Sequence, residues 1–257
     1  MPYAEINGLS LHFEDSGTGG PPVLLLHELG GSSESWRAVS PLLADRRVVA
    51  VDLRCAGRSE KPPGRFTMYD VADDLDALAA ALNLELVDVI GAALGSLAGA
   101  LLAVRHPARV RRLMMCAVAP DMAGPTRAYV TERAAKVRVA GMRPVAEASL
   151  ANSFPISQAA ERAAYRGIYL GNDPMAYAQL SLALGRLEMT AADWGAIRAP
   201  VLVASGAHDF LWPPLVGEQV AALVPGARFE VMNDAGHFPH LQAPATLAAL
   251  ARDFLRG

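Results

Sequence analysis

The sequence predicts an α/β protein with a mostly parallel, doubly wound sheet, and three observations support this fold class. Short all-apolar runs such as residues 23–26 (VLLL) are typical of strands buried on both faces. These runs alternate with segments of helical periodicity, which favours a parallel sheet covered by helices. The chain has 257 residues, of which 52% are hydrophobic, so one domain spanning residues 1–257 can bury a large core.

The first half of the chain follows this alternation in order. Residues 3–15 alternate between apolar and polar around Asn7-Gly8, which predicts a hairpin. The buried strand 23–26 comes next, and Ser32 or Ser33 is expected to cap a helix over about 34–43. Residues 69–82 carry Val71, Leu75, Leu78 and Leu82 at helical spacing. The other predicted elements here are strands 47–53, 86–90 and 111–118 and a helix over 94–105.

Residues from about 121 to 194 interrupt the alternation. They lack strand-like runs and hold four of the six tyrosines. We interpret them as a helical cap over the carboxyl edge of the sheet, where open α/β sheets bind their ligands. An ordinary continuation of the fold is the alternative. The core then comprises residues 1–120 and 195–257, with later strands over 200–204 and 228–232 and helices over 213–224 and 245–255.

Composition narrows the classes of function. The net charge is −3 and the basic residues are scattered, so we expect no nucleic-acid partner. The apolar runs are too short to cross a bilayer, and residues 1–15 lack the basic start and apolar run of a signal peptide. Two cysteines, Cys55 and Cys116, have neither disulfide nor metal-ligand spacing, which fits a reducing cytoplasm. No metal or cofactor motif is apparent. We therefore expect a small-molecule substrate and a monomer or small homo-oligomer.

Four loops each follow a predicted strand, so they are expected at the same edge of the sheet. They are residues 27–31 (HELGG), 91–95 (GAALG), 206–209 (GAHD) and 236–239 (GHFP). Their order and spacing resemble the α/β-hydrolase family over nearly the whole chain, and most closely its enol-lactonase and small-esterase branch. The resemblance implies an α/β-hydrolase fold and activity on an ester, an enol lactone or a related carbonyl compound.

The resemblance also implies site residues. His237 would be the general base and Asp209 its orienting acid. The backbone N–H groups of Leu29 and Leu94 would form the oxyanion hole. In this family the residue that corresponds to position 93 is the serine nucleophile, held in a tight turn between a strand and a helix that is called the nucleophile elbow.

Position 93 is alanine, whose methyl group cannot attack a carbonyl carbon. Ser96 lies three residues further on, and helical geometry turns it away from the elbow tip. Either a serine was replaced deliberately, or a natural branch lost it. The same pocket shows other departures from the family pattern, at Glu28, Cys55-Ala56 and Ala92. Their clustering favours natural remodelling.

Among these departures from the family pattern, Glu28 is the one whose side chain could take part in acid–base chemistry. Burial would raise the pKa of its carboxyl group and make it a candidate acid or base that couples to His237. The alternative is that Glu28 pairs with Arg54 or Arg58 and ties two loops together. Among the other histidines, His27 is expected to brace the oxyanion loop and His240 to be scaffolding.

The sequence therefore predicts an enzyme, most plainly a hydrolase of carboxylic esters or lactones, in which His237 and Asp209 act without a serine. Cys55, Trp212 and Phe238 are expected to line the substrate pocket. Two alternatives remain open. One is a cofactor-free lyase or isomerase on the same fold, and the other is an inert relative that binds a small ligand.

Overall fold

The computed structural model describes residues 2–17, 19–154 and 158–256. Within these residues a single sheet contains eight strands, which we number in chain order: β1 Tyr3–Ile6, β2 Leu9–Asp15, β3 Gly20–Leu26, β4 Arg46–Val51, β5 Val87–Ala92, β6 Val110–Cys116, β7 Val201–Gly206 and β8 Arg228–Met232. The spatial order is β1-β2-β4-β3-β5-β6-β7-β8. Strands β3 to β8 pair in parallel, while β2 runs antiparallel to β1 and β4. The predicted fold class is confirmed.

Helices surround the sheet and fill the interval predicted as the cap. Against the sheet lie α1 Met68–Ala81, α2 Leu94–Arg105, α8 Pro214–Leu223, the single turn α9 Pro239–Gln242, and α10 Pro244–Arg256. The helices of this interval, which we continue to call the cap, are α3 Gly124–Ala140, α4 Arg143–Ser153, α5 Ala159–Leu170 and α6 Pro174–Gly185. The short helix α7 Ala191–Gly195, at the end of the interval, packs against α2 and α8. No helix among the described residues is both long and apolar enough to cross a membrane.

Strand β3 shows why its run is entirely apolar. Leu24 and Leu26 pack on the face covered by α1, α2 and α8, whereas Val23 and Leu25 pack on the opposite face, against α10. Successive side chains of a strand point to opposite faces, so a strand covered on both sides must be apolar at every position. Because these strands are parallel, their carboxyl ends and the four predicted loops meet at one edge.

The segment 34–43 differs from its prediction. Two short 3-10 helices, Ser33–Trp36 and Ser40–Leu43, stand there instead of one α-helix. Ser32 caps the first of them as expected, since its hydroxyl accepts the N–H of Glu34 at 3.2 Å. Pro41 has no N–H to bond the carbonyl four residues back, so a continuous helix through it would lose a hydrogen bond and clash.

Candidate active site

Ala93 forms a tight elbow between β5 and α2. Its backbone angles are φ 49° and ψ −109°, a left-handed conformation that costs a non-glycine residue about 1–3 kcal/mol. Two glycines make the turn sterically feasible. A Cβ on Gly91 would overlap the carbonyl of Gly95, and a Cβ on Gly95 would overlap the carbonyl of Leu26. The elbow thus holds Ala93 and the N-terminus of α2 above the carboxyl edge of the sheet.

Ser96 does not take the place of an elbow nucleophile. Its hydroxyl lies 2.8 Å from the carbonyl oxygens of both Gly91 and Cys116, and it accepts the N–H of Cys116 at 3.0 Å. The side chain is completely buried. Ser96 therefore ties α2 to β5 and β6, in agreement with the prediction that it points away from the site.

His237 and Asp209 form a buried hydrogen-bonded pair. The Nδ1 atom of His237 lies 2.9 Å from Oδ2 and 3.1 Å from Oδ1 of Asp209. The backbone N–H groups of Leu211 and Trp212 each donate to Oδ1 at 2.9 Å, which fixes the carboxylate. Since Nδ1 is held by the carboxylate, Nε2 is the ring nitrogen left for the cavity. It makes no hydrogen bond to any residue within the described ranges.

The loop after β3 is braced by His27, as predicted. Its Nδ1 lies 2.7 Å from the carbonyl oxygen of Glu28, and its Nε2 accepts the N–H of Leu53 at 3.1 Å. A ring that donates from Nδ1 and accepts at Nε2 is a neutral imidazole in a single tautomer. This brace fixes the loop that carries Leu29, and Leu29, Ala93 and Leu94 all line one cavity.

Glu28 is fully buried but does not behave as the sequence suggested. Its Oε2 lies 2.8 Å from Nε2 of His240, and its Oε1 accepts the hydroxyl of Ser35 at 3.1 Å. Burial alone would raise the pKa of this carboxyl group. The charge of His240 and its hydrogen bond outweigh burial, and the pKa falls from 4.5 to about 2. The expectation of a raised pKa is wrong.

The alternative offered for Glu28 is also wrong, because Arg54 and Arg58 pair with carboxylates elsewhere. With a pKa this low, Glu28 is ionised at neutral pH and has no proton to donate. Gly31 accommodates the pair, since a Cβ there would overlap the Glu28 carboxylate. His240 stacks on Trp36 with ring centroids 4.7 Å apart. Glu28 and His240 thus form a buried hydrogen-bonded pair that joins two loops of the site.

A cavity that is partly open to solvent lies between the carboxyl-edge loops and the cap. His237, Trp212 and Phe238 line it from the sheet side. Cys55, which we expected in the same wall, lies outside it. The Cys55 thiol donates to the Oε1 atom of Gln179 at 3.3 Å, so the contact with α6 turns it away from the cavity.

The cap wall contains a cluster that the sequence interpretation missed, which we call the Arg133 cluster. Arg133 as a residue is only 7% exposed. It donates to the hydroxyls of Tyr129 at 2.8 Å, Tyr177 at 3.1 Å and Ser149 at 2.8 Å, and also to that of Tyr169. Burial would lower the pKa of Arg133, but the tyrosine oxygens raise it, so the group stays charged. The one sequence signal was the spacing of Tyr129 and Arg133, four residues apart on one helix.

Comparison with known proteins identifies the family. A family model for the α/β hydrolase fold matches residues 21–244. A pimeloyl-[acyl-carrier protein] methyl ester esterase of Aromatoleum aromaticum is 30% identical over 92% of this chain and 99% of its own length. A 2-hydroxymuconate semialdehyde hydrolase of a Pseudomonas species is 28% identical over 96% of this chain and 91% of its own.

Among solved structures, the enol-lactonase of Burkholderia xenovorans superposes with a TM-score of 0.93. It shares 28% sequence identity, and the match covers 100% of both chains. The resemblance inferred from the four loops is thus confirmed. The chain belongs to the α/β hydrolase fold family, and its relatives include esterases and an enol-lactonase.

Proposed function

We propose that this protein is a serine-independent acid–base enzyme that hydrolyses a small ester, enol lactone or related carbonyl compound. The observation that carries the proposal is the His237–Asp209 pair, in which backbone N–H groups fix the carboxylate and His237 lines the same cavity as Ala93. In this proposal Ala93 stands where hydrolases of this fold carry their nucleophile, so the acyl-enzyme route is closed. The base and its orienting carboxylate are retained, and water takes the part of the nucleophile.

The chemistry follows from the positions of the groups. The substrate carbonyl oxygen accepts hydrogen bonds from the N–H groups of Leu29 and Leu94, beside the positive end of the α2 dipole. A water molecule gives a proton to Nε2 of His237 while its oxygen bonds to the carbonyl carbon. Asp209 stabilises the resulting imidazolium. The tetrahedral oxyanion then collapses, and the leaving oxygen takes the proton from Nε2, which restores the neutral histidine.

The first experiment compares the parent protein with His237→Ala on a panel of aryl acetates and enol lactones. We expect the parent to turn over at least one substrate, and His237→Ala to lose about 100-fold or more of that rate, because general base catalysis contributes about this much. His208→Ala is the matched control. His208 is an exposed histidine next to Asp209, and its replacement should leave turnover unchanged. Equal rates for the parent and His237→Ala would contradict the proposal.

Two further measurements separate the competing functions. In H₂¹⁸O the hydrolase incorporates one ¹⁸O atom into the acid product, whereas a lyase or isomerase forms product with no water oxygen. Ala93→Ser tests the remaining alternative. If the parent is inert on every substrate while Ala93→Ser turns over and accumulates an acyl-enzyme, the site is a triad without its nucleophile. The protein as it stands would then be a ligand binder rather than an enzyme.

A further inference from the structure

The Arg133 cluster is a buried positive charge without a counter-ion. No carboxylate lies within 4.0 Å of the guanidinium among residues 2–17, 19–154 and 158–256. Its partners are hydroxyl groups and the carbonyl oxygen of Val145 at 3.4 Å. Removing a charge from water is costly unless the charge is paired, and dipoles alone offset only part of that cost. A charged group in this state is expected to attract an anion.

The carboxylates in and next to the cavity wall do not supply that anion. Glu28, in the wall, is held by His240 and Ser35. Asp209, which is not part of the lining, is held by His237 and two backbone N–H groups. Within the described lining of the cavity, Arg133 is therefore the charge that lacks an opposite charge.

The hydroxyl groups around Arg133 also have protons that lack an acceptor, which favours a bound anion. Each hydroxyl that accepts from Arg133 also carries a proton of its own to donate. The Tyr169 and Tyr177 hydroxyls lie 2.9 Å apart, so one of these protons is used between them. The protons of Tyr129, Ser149 and the second member of that tyrosine pair make no hydrogen bond within the described residues.

The guanidinium has spare capacity as well. Its two terminal nitrogens carry four N–H bonds, and one of these nitrogens has a single partner, the hydroxyl of Tyr129. The cluster thus has more donors than acceptors, and all five of its side chains line the cavity. An excess of donors around a positive charge is what binds an anion, as in charge-assisted recognition of carboxylates.

We propose that the Arg133 cluster is a subsite for a carboxylate carried by the substrate. This inference rests on the proposed function, because it assigns the acyl group to the elbow side of the cavity and the carboxylate to the cap side. The substrate class is then a half-ester of a dicarboxylic acid, or a lactone with a free carboxylate side chain. Arg133 is a specificity-determining residue in this scheme and takes no part in the chemical step.

Binding of two matched ketones tests the proposal without requiring turnover. The first is 4-oxo-4-phenylbutanoate, and the second is 4-methyl-1-phenylpentan-1-one, in which an isopropyl group replaces the carboxylate. We expect titration calorimetry to show that the parent prefers the carboxylate. Arg133→Met should weaken binding of the carboxylate by about 10- to 100-fold and change binding of the neutral ketone less than about 2-fold, as loss of charge-assisted hydrogen bonds implies.

Arg138→Met is the matched control, since Arg138 is an exposed arginine on the same helix. It should leave binding of both ketones unchanged. If Arg133→Met fails to fold, Tyr129→Phe replaces it, because this variant keeps the ring packing and removes one donor. It should also weaken binding of the carboxylate alone. Equal affinity of the parent for both ketones, or an equal loss of both in a variant, would overturn the proposal and leave Arg133 as a structural brace.

The test also separates this proposal from the proposed function. Neither ketone has an ester bond to hydrolyse, so binding is measured even if the parent turns nothing over. If turnover depends on His237 but the parent binds both ketones equally, only the proposal of a carboxylate subsite is contradicted. If the parent prefers the carboxylate through Arg133 but turns over no substrate, only the proposed hydrolase function is contradicted.

Discussion

Glu28 and His240 pair across 212 positions of the chain, in a part of the site that excludes water from both side chains. The pair holds the loop after β3 against the loop that carries His237. Loss of one member of a buried hydrogen-bonded pair leaves the other polar group without its partner, which costs a protein about 1–3 kcal/mol. The contribution of Glu28 to stability must also depend on pH, because its pKa lies below its ordinary value.

Glu28→Gln should therefore lower the free energy of unfolding by about 1–3 kcal/mol at pH 7. The Glu28 pKa is lowered from 4.5 to about 2, so its contribution is complete above pH 4.5 and is lost as the pH falls toward 2. The difference between parent and variant should narrow between pH 7 and pH 3, as measured by urea unfolding. Glu218→Gln, at an exposed glutamate on α8, should show little difference at either pH. A gap for Glu28→Gln that stays constant on acidification would contradict this account.

At this scale the sequence predicts where site residues lie better than it predicts which residues they contact. The order of Ala93, Asp209 and His237 along predicted strand ends was enough to bring these residues to one edge, and the structure has them there. The partner of Glu28 was not predictable, because it is set by how the one-turn helix α9 packs against the first loop. The Arg133 cluster was missed for the same reason, since its tyrosines come from three different cap helices.

Among the elements, the elbow depends on close contact between the start of α2 and the end of β3. Gly95→Ala places a methyl group on the Leu26 carbonyl, where backbone atoms cannot give way. We expect this variant to lose about 3 kcal/mol or more of stability. Gly167→Ala is the matched control within α5, where a Cβ meets nothing within 4 Å. It should gain about 0.5–1 kcal/mol from helix propensity.

Thermal unfolding followed by circular dichroism measures both changes. In a chain of this size 1 kcal/mol corresponds to about 2–4 °C in Tm. Equal Tm values for Gly95→Ala and the parent would show that the elbow can relax and that the glycine is not required there.

The spacing of apolar residues predicted most helices and strands, because that spacing follows directly from which face of each helix or strand is buried. The helix over 94–105 and the strand over 228–232 coincide with α2 and β8. The failure at 34–43 has a local cause, since Pro41 removes an N–H in the middle of an otherwise helical pattern. Apolar spacing reports which face is buried and carries no information on whether the backbone hydrogen bonds of a helix can form.

At the scale of the whole molecule, Gln242 couples the cap to the histidine loop. Its Oε1 accepts the N–H groups of Gly236 and Phe238 at 3.0 Å each, on both sides of His237. Its Nε2 donates to the carbonyl of Ser153 in α4 at 2.7 Å. One side chain thus fixes the backbone around His237 and the end of a cap helix together.

Gln242→Ala should leave these backbone groups without partners and loosen both regions at once. We expect faster hydrogen–deuterium exchange in peptides covering 234–240 and 145–153, with α1 unchanged. The amides of Gly236 and Phe238 lose their acceptor, and the end of α4 loses the donor to its Ser153 carbonyl and opens more often. The control is Gln219→Ala, at an exposed glutamine on α8. Faster exchange confined to one of the two regions would mean that Gln242 does not couple them.

The alanine at the elbow also determines which covalent inhibitors can react with this protein. Organophosphates and fluorophosphonate probes inhibit serine hydrolases by phosphonylating the elbow hydroxyl, and Ala93 offers them no oxygen. Burial raises the thiol pKa of Cys55 to about 11 and that of Cys116 to about 12, so neither supplies a thiolate to alkylating agents at neutral pH. A covalent survey of a proteome would pass over this chain, although its fold is that of the enzymes such surveys are designed to find.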